Sequence, residues 1–556
     1  MSDQQDRDSA TTTSKLEKIS RWLDSYGGEV KGIHRYLPHE RDANIVRSII
    51  KVSGLWLSGC GGLTSMSSFF LGPLLFGLGY KDTIICGLFG LWLGCLVAAY
   101  CATMGPRSGL RQMCGARYLF GPYGVRFVSL VTIVGFLGWS VTNCVLGGEI
   151  LRWISHGTLD LEVGIAILSV ISLCIAIFGI EYLLKFEGLV GIPVIIVVFL
   201  MYIITRKDIS KYHDLPSAGD AITVIGNRIS FFNLAYSVTA TWGGCAADYY
   251  VLLPENVSQI SLFVYTFFGI AIPSTFGGVI GMLISNSAVG NGYWYETYEN
   301  DSLGGLLNSV FGEWHGFGKF LLVILWLSLI TNNTINTYSS ALSVQLIDRW
   351  FFKHFPRWLI VVVIFIITLI CSMVGRNKFS SILSNFLPML GYWISIYFIL
   401  LLEENVLFRS TSLIKLFKAE LYEPADNKAA NSSGYFYGSS TFHEKKEHHD
   451  DETTHTTQTT TDSTIPPPYA TTQSIPYYNF NAWDNVKQHT HGYAACLAFC
   501  FGVAGVVLGM NQVYYVGKLA GLIGEYNADL GSFLAIGFTG VTYPLLRYIE
   551  LKKFGR

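Results

Sequence analysis

The chain has 556 residues, of which 51% are hydrophobic and only 14% charged, against roughly 25% charged in soluble globular domains. Its 38 Lys and Arg nearly balance its 39 Asp and Glu, for a net charge of −1, so no basic field argues for a nucleic-acid partner. The 11 cysteines, among them Cys60, Cys95, Cys144 and Cys371, lie in or beside apolar runs without a C-x-x-C pair. They read as small buried side chains rather than metal ligands or disulfides.

Residues 1–48 are polar, so no cleavable signal is expected there and the first apolar run must direct insertion itself. Residues 1–15 are expected to be disordered. Leu16, Ile19, Trp22 and Leu23 share one face of a helix over 14–25, which either lies on the inner membrane surface or packs against the protein. Twelve apolar runs follow, near 52–79, 83–104, 127–153, 161–180, 188–205, 229–253, 259–285, 317–347, 358–375, 382–402, 492–513 and 528–548. Each is near the roughly 20 residues that cross a hydrocarbon core, and such runs must be helical where water cannot satisfy the backbone. The expected fold is therefore an all-α integral membrane protein of twelve transmembrane helices. It divides into an N-terminal segment (1–48), five helices (49–205), five more (206–408), a loop (409–488) and two final helices with a C-terminal segment (489–556). The loop contains HEKKEHHDDETTHTTQTTTDSTIPPPY, low-complexity sequence too polar to offset its ordering entropy. His443, His448, His449 and His455 there read as solvated side chains, and no metal or cofactor is expected.

Loop charges give the orientation. Arg41, Arg47, Lys51, Arg107, Arg111, Arg117, Arg126, Arg349, Lys353, Arg357, Arg547, Lys552, Lys553 and Arg556 share one side if both termini are cytoplasmic. The acidic loop 286–316 (Glu296, Glu299, Asp301, Glu313) then lies outside, with an N-x-S sequon at 300–302. Arg206, Lys207, Lys211 and Arg228 also fall outside, against the rule.

Two spans carry small residues where an uninterrupted apolar helix would be simplest. The first reads GLWLSGCGGLTSMSSFFLGP (54–73) and the sixth TATWGGCAADYY (239–250). Small residues allow helices to pack closely. Two interruptions five spans apart also match inverted repeats, whose broken helices free backbone groups to hold a substrate. Polar side chains inside spans point the same way. Trp139 and Asn143 are four residues apart on one face of the third span, and Trp242 sits at the second interruption. TNNTINTYSS in the eighth span places Asn332, Asn333 and Asn336 mid-helix, where they must face a bundle interior or cavity. Indoles stack on flat rings and carboxamides both donate and accept. The set fits a small, planar, mostly neutral heterocycle. No H-E-x-x-H, suitable G-x-S-x-G or paired catalytic carboxylates suggest an enzyme.

GPRSGLRQMCGARYLFG (105–121), ATWGGCAADYY and NNTINTYSSALSVQL resemble the nucleobase–cation symporter, or purine–cytosine permease, family. GLTSMSSFFLGPLLFGL, GFLGWSVTN, SNFLPMLGYWISIYFILLLEEN and RYIELKKFGR resemble its fungal vitamin B6 branch more closely. The likeness covers about residues 20–408 and 480–556. It implies two inverted five-helix repeats with broken helices 1 and 6 plus two extra helices, and a plasma-membrane symporter importing pyridoxine-like compounds. Purines, cytosine or thiamine-like compounds are alternative substrates, and a non-transporting nutrient receptor is an alternative class. Ile335 stands where purine and cytosine carriers usually have Pro, which favours the vitamin branch. Carried over by position, Trp139 and Trp242 would sandwich the ring. Asn143 and Asn336 would hydrogen-bond it, with Asn333 and Asn332 in support, and Ser68, with Ser67 and Ser65 close by, would supply the polar helix-1 contact. Fungal members resemble proton symporters and bacterial ones use sodium. Glu187 matches an acidic position of the fungal relatives, and Asp248 and Glu149 are further candidates to carry the coupling proton.

Overall fold

The computed structural model describes residues 31–42, 44–348, 355–418, 478, 480 and 483–556. The helix expected over 14–25, the segment 1–15 and most of the 409–488 loop with its histidines lie outside the described residues. Helix dominates the rest. Among the described residues, eight helices are long and apolar enough to cross a membrane, and they include the second to fifth and seventh to tenth expected spans.

The first expected span is broken. Helix α1 (Ile45–Gly61) and helix α2 (Leu63–Phe69) meet at Gly62, whose backbone is extended. Helices α3 (Tyr80–Ala102), α4 (Arg117–Ile154), α5 (Leu161–Phe178) and α6 (Ile180–Ile204) follow. The fifth span starts eight residues before the expected boundary at 188. Glu181, Lys185 and Glu187 made its first turns look like loop, yet Gly179, with φ 93°, separates it directly from α5. The sixth span, α7 (Ala221–Ala240), gives way to two 3-10 turns, Thr241–Gly244 and Ala246–Tyr249, on either side of Cys245. Helix α8 (Gln259–Gly290) precedes α9 (Gly292–Gly312), α10 (His315–Ile347), α11 (Arg357–Gly375) and α12 (Phe379–Glu403). Helix α9 occupies most of the expected 286–316 loop, a helix that its polar, aperiodic sequence concealed. Helix α13 (Tyr493–Gly509) has 17 residues, and α14 (Gly531–Phe554) has 24 but is interrupted by polar residues and Pro544. Between them lies a short hairpin pairing Asn511–Gln512 with Tyr515–Val516.

Packing follows an internal two-fold with an offset of five spans. Helix α1 packs on α6 as α7 packs on α12. Helix α3 packs on α7 as α8 packs on α1, and α4 on α5 as α10 on α11. The pairs α4–α10, α5–α11 and α3–α8 map onto themselves. This is the pairing that two inverted five-helix repeats require. Around the bundle apolar side chains point outward. Leu189, Ile192, Ile196, Phe199 and Ile203 form a stripe along α6 and are between 50% and 74% exposed, as a lipid-facing surface should be.

One face of the bundle gathers the expected basic loops. Arg41 donates to the Pro106 carbonyl, the Asp42 amide to the Leu252 carbonyl at 2.9 Å, and Arg117 to the Trp483 carbonyl at 3.0 Å. Arg547 bridges Glu404 at 2.9 Å and Glu550 at 3.0 Å, both buried. On the opposite face Arg228, one of the residues that broke the charge rule, pairs with Asp82 at 2.8 Å.

Candidate functional site

The two helix breaks are held open by side chains from other spans. At the first, Gly62 approaches α10 so closely that a Cβ would overlap the Ser328 side chain. An unbroken helix would direct the Leu63 N–H at the Gly59 carbonyl. Here it donates to Ser328 Oγ at 3.0 Å instead. At the second, the loop after α3 does the holding. The Ala247 amide donates to Gln112 Oε1 at 3.1 Å, the Gln112 amide to Asp248 Oδ1 at 2.6 Å, and Arg111 to the Asp248 carbonyl at 2.8 Å. Gln112 Nε2 reaches on to Tyr397 of α12 at 2.8 Å. Those contacts satisfy backbone groups that the interrupted helix leaves open. The GPRSGLRQMCG stretch thus has a physical role, bracing the interruption in the sixth span.

Between the breaks lies a cavity of about 20 Å³. It is lined by Thr64 and Ser65 of α2, Phe136 and Trp139 of α4, Val238 of α7, Thr241, Trp242 and Cys245 of the first 3-10 turn and its end, and Asn332 and Asn336 of α10. The volume accommodates about one water, so a ring enters only if these elements move apart. Trp242 is braced from behind by Trp56, edge-on at a centroid distance of 5.3 Å, whose indole N–H donates to Tyr250 at 2.8 Å.

Trp139, Trp242 and Asn336 therefore meet in one place. Asn143 stands one layer behind, accepting from Thr64 Oγ1 at 2.8 Å and donating to Asn332 Oδ1 at 3.0 Å. Asn333, on the next face of α10, turns to Cys144 Sγ at 3.7 Å and does not line the cavity. Nor do Ser67 and Ser68. Ser67 donates to the Thr64 carbonyl at 3.0 Å, and Ser68 Oγ is buried without a hydrogen-bond partner. Because α2 restarts at residue 63, its first turn is what faces the cavity: of the three serines expected there Ser65 lines it, joined by Thr64. Phe136 was legible as the residue one turn before Trp139. Thr241 and Cys245 had no signal beyond their position in the interruption.

The three acidic candidates differ. Glu187 is fully buried on α6, and Ser58 of α1, one turn before the break, donates to its carboxylate. Glycines at 54 and 191, where a Cβ would overlap the facing backbone, allow the two helices this approach. Its neighbour Lys185 is exposed and lies over the Tyr182 ring instead. Glu187 Oε1 has no hydrogen-bond partner. Asp248 holds the Gln112 amide, and Glu149 accepts from the Gly304 amide of α9 at 3.2 Å. Asp248 thus ties the loop after α3, and Glu149 ties helix α9, to the bundle.

A family model described as permease for cytosine/purines, uracil, thiamine, allantoin matches residues 43–402. The vitamin B6 transporter TPN1 of Saccharomyces cerevisiae is 45% identical over 543 residues, covering 97% of this chain and 90% of the relative. The purine-cytosine permease FCY21 of the same yeast is 28% identical over 546 residues, covering 98% and 90%. Among solved structures, MHP1, a nucleobase-cation-symport-1 family transporter in a closed conformation with bromovinylhydantoin bound, matches with a TM-score of 0.62 at 12% identity. That match covers 95% of this chain and 96% of the other, a likeness of fold. The helices that break, the pairing of the spans and these matches agree: the chain belongs to the cytosine/purine, uracil, thiamine and allantoin permease family, which consists of membrane transporters and not enzymes.

Proposed function

We propose that the protein is a secondary transporter that imports pyridoxine and related pyridine vitamers across the plasma membrane, by proton symport with alternating access and with both termini cytoplasmic. The observation that carries the substrate class is the 45% identity to a vitamin B6 transporter over 97% of the chain. The cavity supports it. Trp139 and Trp242 offer two indole faces to a flat ring, Asn336 and Thr64 offer hydrogen bonds, and no charged side chain lines the space. A neutral pyridine carrying hydroxyl groups matches those surfaces. Asn143 acts from one layer behind, and Asn333, Ser67 and Ser68 support the helices that carry the lining.

Glu187 is the coupling residue in this reading. A carboxyl buried against Ser58 sits where the first span breaks, so a rearrangement that opens the break also wets the carboxyl. It can then take up a proton on one side and release it on the other. Asp248 and Glu149 are committed to backbone amides and are the lesser candidates.

The test is uptake in cells lacking their own carrier. Labelled pyridoxine should accumulate saturably, faster at acidic external pH, and unchanged when sodium is replaced. Pyridoxal and pyridoxamine should compete, whereas cytosine, adenine and thiamine should compete poorly. Stronger competition by any of the latter three would move the substrate to another branch of the family. Binding without accumulation would make the protein a receptor.

A further inference from the structure

Four side chains around the cavity form one hydrogen-bonded chain. Thr64 Oγ1 donates to Asn143 Oδ1 at 2.8 Å, and Asn143 Nδ2 donates to Asn332 Oδ1 at 3.0 Å. Asn336 Nδ2 also donates to Asn332 Oδ1 at 3.0 Å, while Asn332 Nδ2 points at the Gly59 carbonyl at 3.4 Å. Carboxamides can be turned end for end, so in principle the chain could run either way. The Gly59 carbonyl removes that freedom. A backbone carbonyl only accepts, and this one lacks its helical partner because the Leu63 N–H has gone to Ser328. Turning Asn332 over would set its oxygen against the Gly59 oxygen and its amino group against two others. The only arrangement without an acceptor facing an acceptor leaves Asn332 Oδ1 receiving both neighbours. Among the described residues no donor reaches Asn336 Oδ1, and Asn336 lines the cavity.

We propose that Asn332 is a positioning residue that sets the hydrogen-bond polarity of the site. Through it, the break in the first span forces Asn336 to present its carbonyl oxygen, so the site selects substrates carrying a hydroxyl or N–H at that point of the ring. The inference rests on the reading of the cavity as a pyridine-vitamer site and adds the rule by which that site discriminates. Asn332 itself need not touch the substrate. Its substitution therefore changes which substrates are told apart more than it changes stacking on the indoles.

The experiment compares uptake of pyridoxine with that of its three monodeoxy analogues, each lacking one hydroxyl. If pyridoxine itself is not carried, the substrate assignment fails, which is a separate outcome from those below. With pyridoxine carried, the natural protein should disfavour one analogue by roughly tenfold or more in half-saturation constant, because removing the donor leaves a buried acceptor unpaired. Asn332→Asp keeps the double acceptor and should keep that ratio. Asn332→Leu lets Asn336 turn, and the ratio should collapse toward one while maximal uptake per surface copy falls less. Thr64→Val breaks the link to Asn143 but leaves Asn332 held by the Gly59 carbonyl, so the ratio should persist in it even if uptake of the whole series falls. A merely structural role would weaken all four compounds in parallel. Equal handling of the analogues by the natural protein, an unchanged ratio in Asn332→Leu, or a collapsed ratio in Thr64→Val overturns the proposal. Should Asn332→Leu fail to reach the surface, Asn332→Ala is read in its place.

Discussion

Trp139 and Trp242 each retain about 8% exposure in an otherwise buried setting, and the cavity accounts for it. If a flat ring stacks there, each indole contributes roughly 0.5–1.5 kcal/mol beyond burial. Replacement by Phe should therefore be tolerated better than replacement by Ala, which should raise the half-saturation constant several-fold or more. Normal import by Trp139→Ala, measured on protein present at the surface, would dispose of the sandwich. Glu187→Gln holds the carboxyl in its uncharged shape. It should preserve substrate exchange while abolishing accumulation against a gradient and its response to external acidity. Continued accumulation with an unchanged pH response would make Glu187 structural. At this scale the sequence was readable where chemistry was unusual for lipid. Two indoles and three asparagines at mid-span have few other reasons to be there, and Trp139, Trp242 and Asn336 do converge. It was unreadable where the answer depended on helical phase. Of Ser65, Ser67 and Ser68 only Ser65 lines the cavity, beside Thr64, because the helix restarts after Gly62, and no residue type announces the register of a restart.

The interruptions themselves were legible as elements, since runs of Gly, Ser, Thr and Ala stand out in an apolar span. What holds them was not, because Gln112 and Ser328 come from distant parts of the chain. Gln112→Ala strips partners from the Ala247 amide and the Tyr397 hydroxyl. A buried donor left unsatisfied costs about 1–3 kcal/mol, so this variant should melt earlier in detergent and lose transport more than Gln112→Glu, which retains an acceptor. Equal melting of Gln112→Ala and the natural protein would mean that the loop does not brace the sixth span. The same face carries His489, whose ring donates to the Trp483 carbonyl. Burial and the adjacent Arg117 push its imidazole down to about 4, so it stays neutral through the physiological range. Uptake by His489→Gln should keep the acid dependence of the natural protein. A flattened pH profile would implicate His489 in coupling.

For the whole molecule, apolar runs revealed the helical membrane class and the order of the spans, eight of which qualify among the described residues, because lipid leaves the backbone few alternatives. The five-span symmetry was legible only through the two interruptions, and the structure extends it to the packing of the main helix pairs. Helix α9 escaped notice because its sequence is polar and aromatic without a clean period. Asn300 is exposed on it, so a glycan there would fix that face as external; one attached within 105–126 would reverse the orientation. Deleting residues 425–475 while keeping a linker of about 20 residues should leave substrate selectivity and pH dependence intact in correctly localised protein, since sequence this polar has little to offer a packed core. Loss of transport under those conditions would assign that loop a part in the cycle.

The cavity between the breaks is smaller than any ring it is expected to carry. Under the alternating access proposed above, the protein would work as a turnstile and not as a pipe. Each molecule moved would then require a rearrangement of the bundle, on the microsecond-to-second scale of such motions. Throughput per copy is then capped by the frequency of that rearrangement, however much substrate waits outside. A cell needing faster uptake gains it by placing more copies in its membrane.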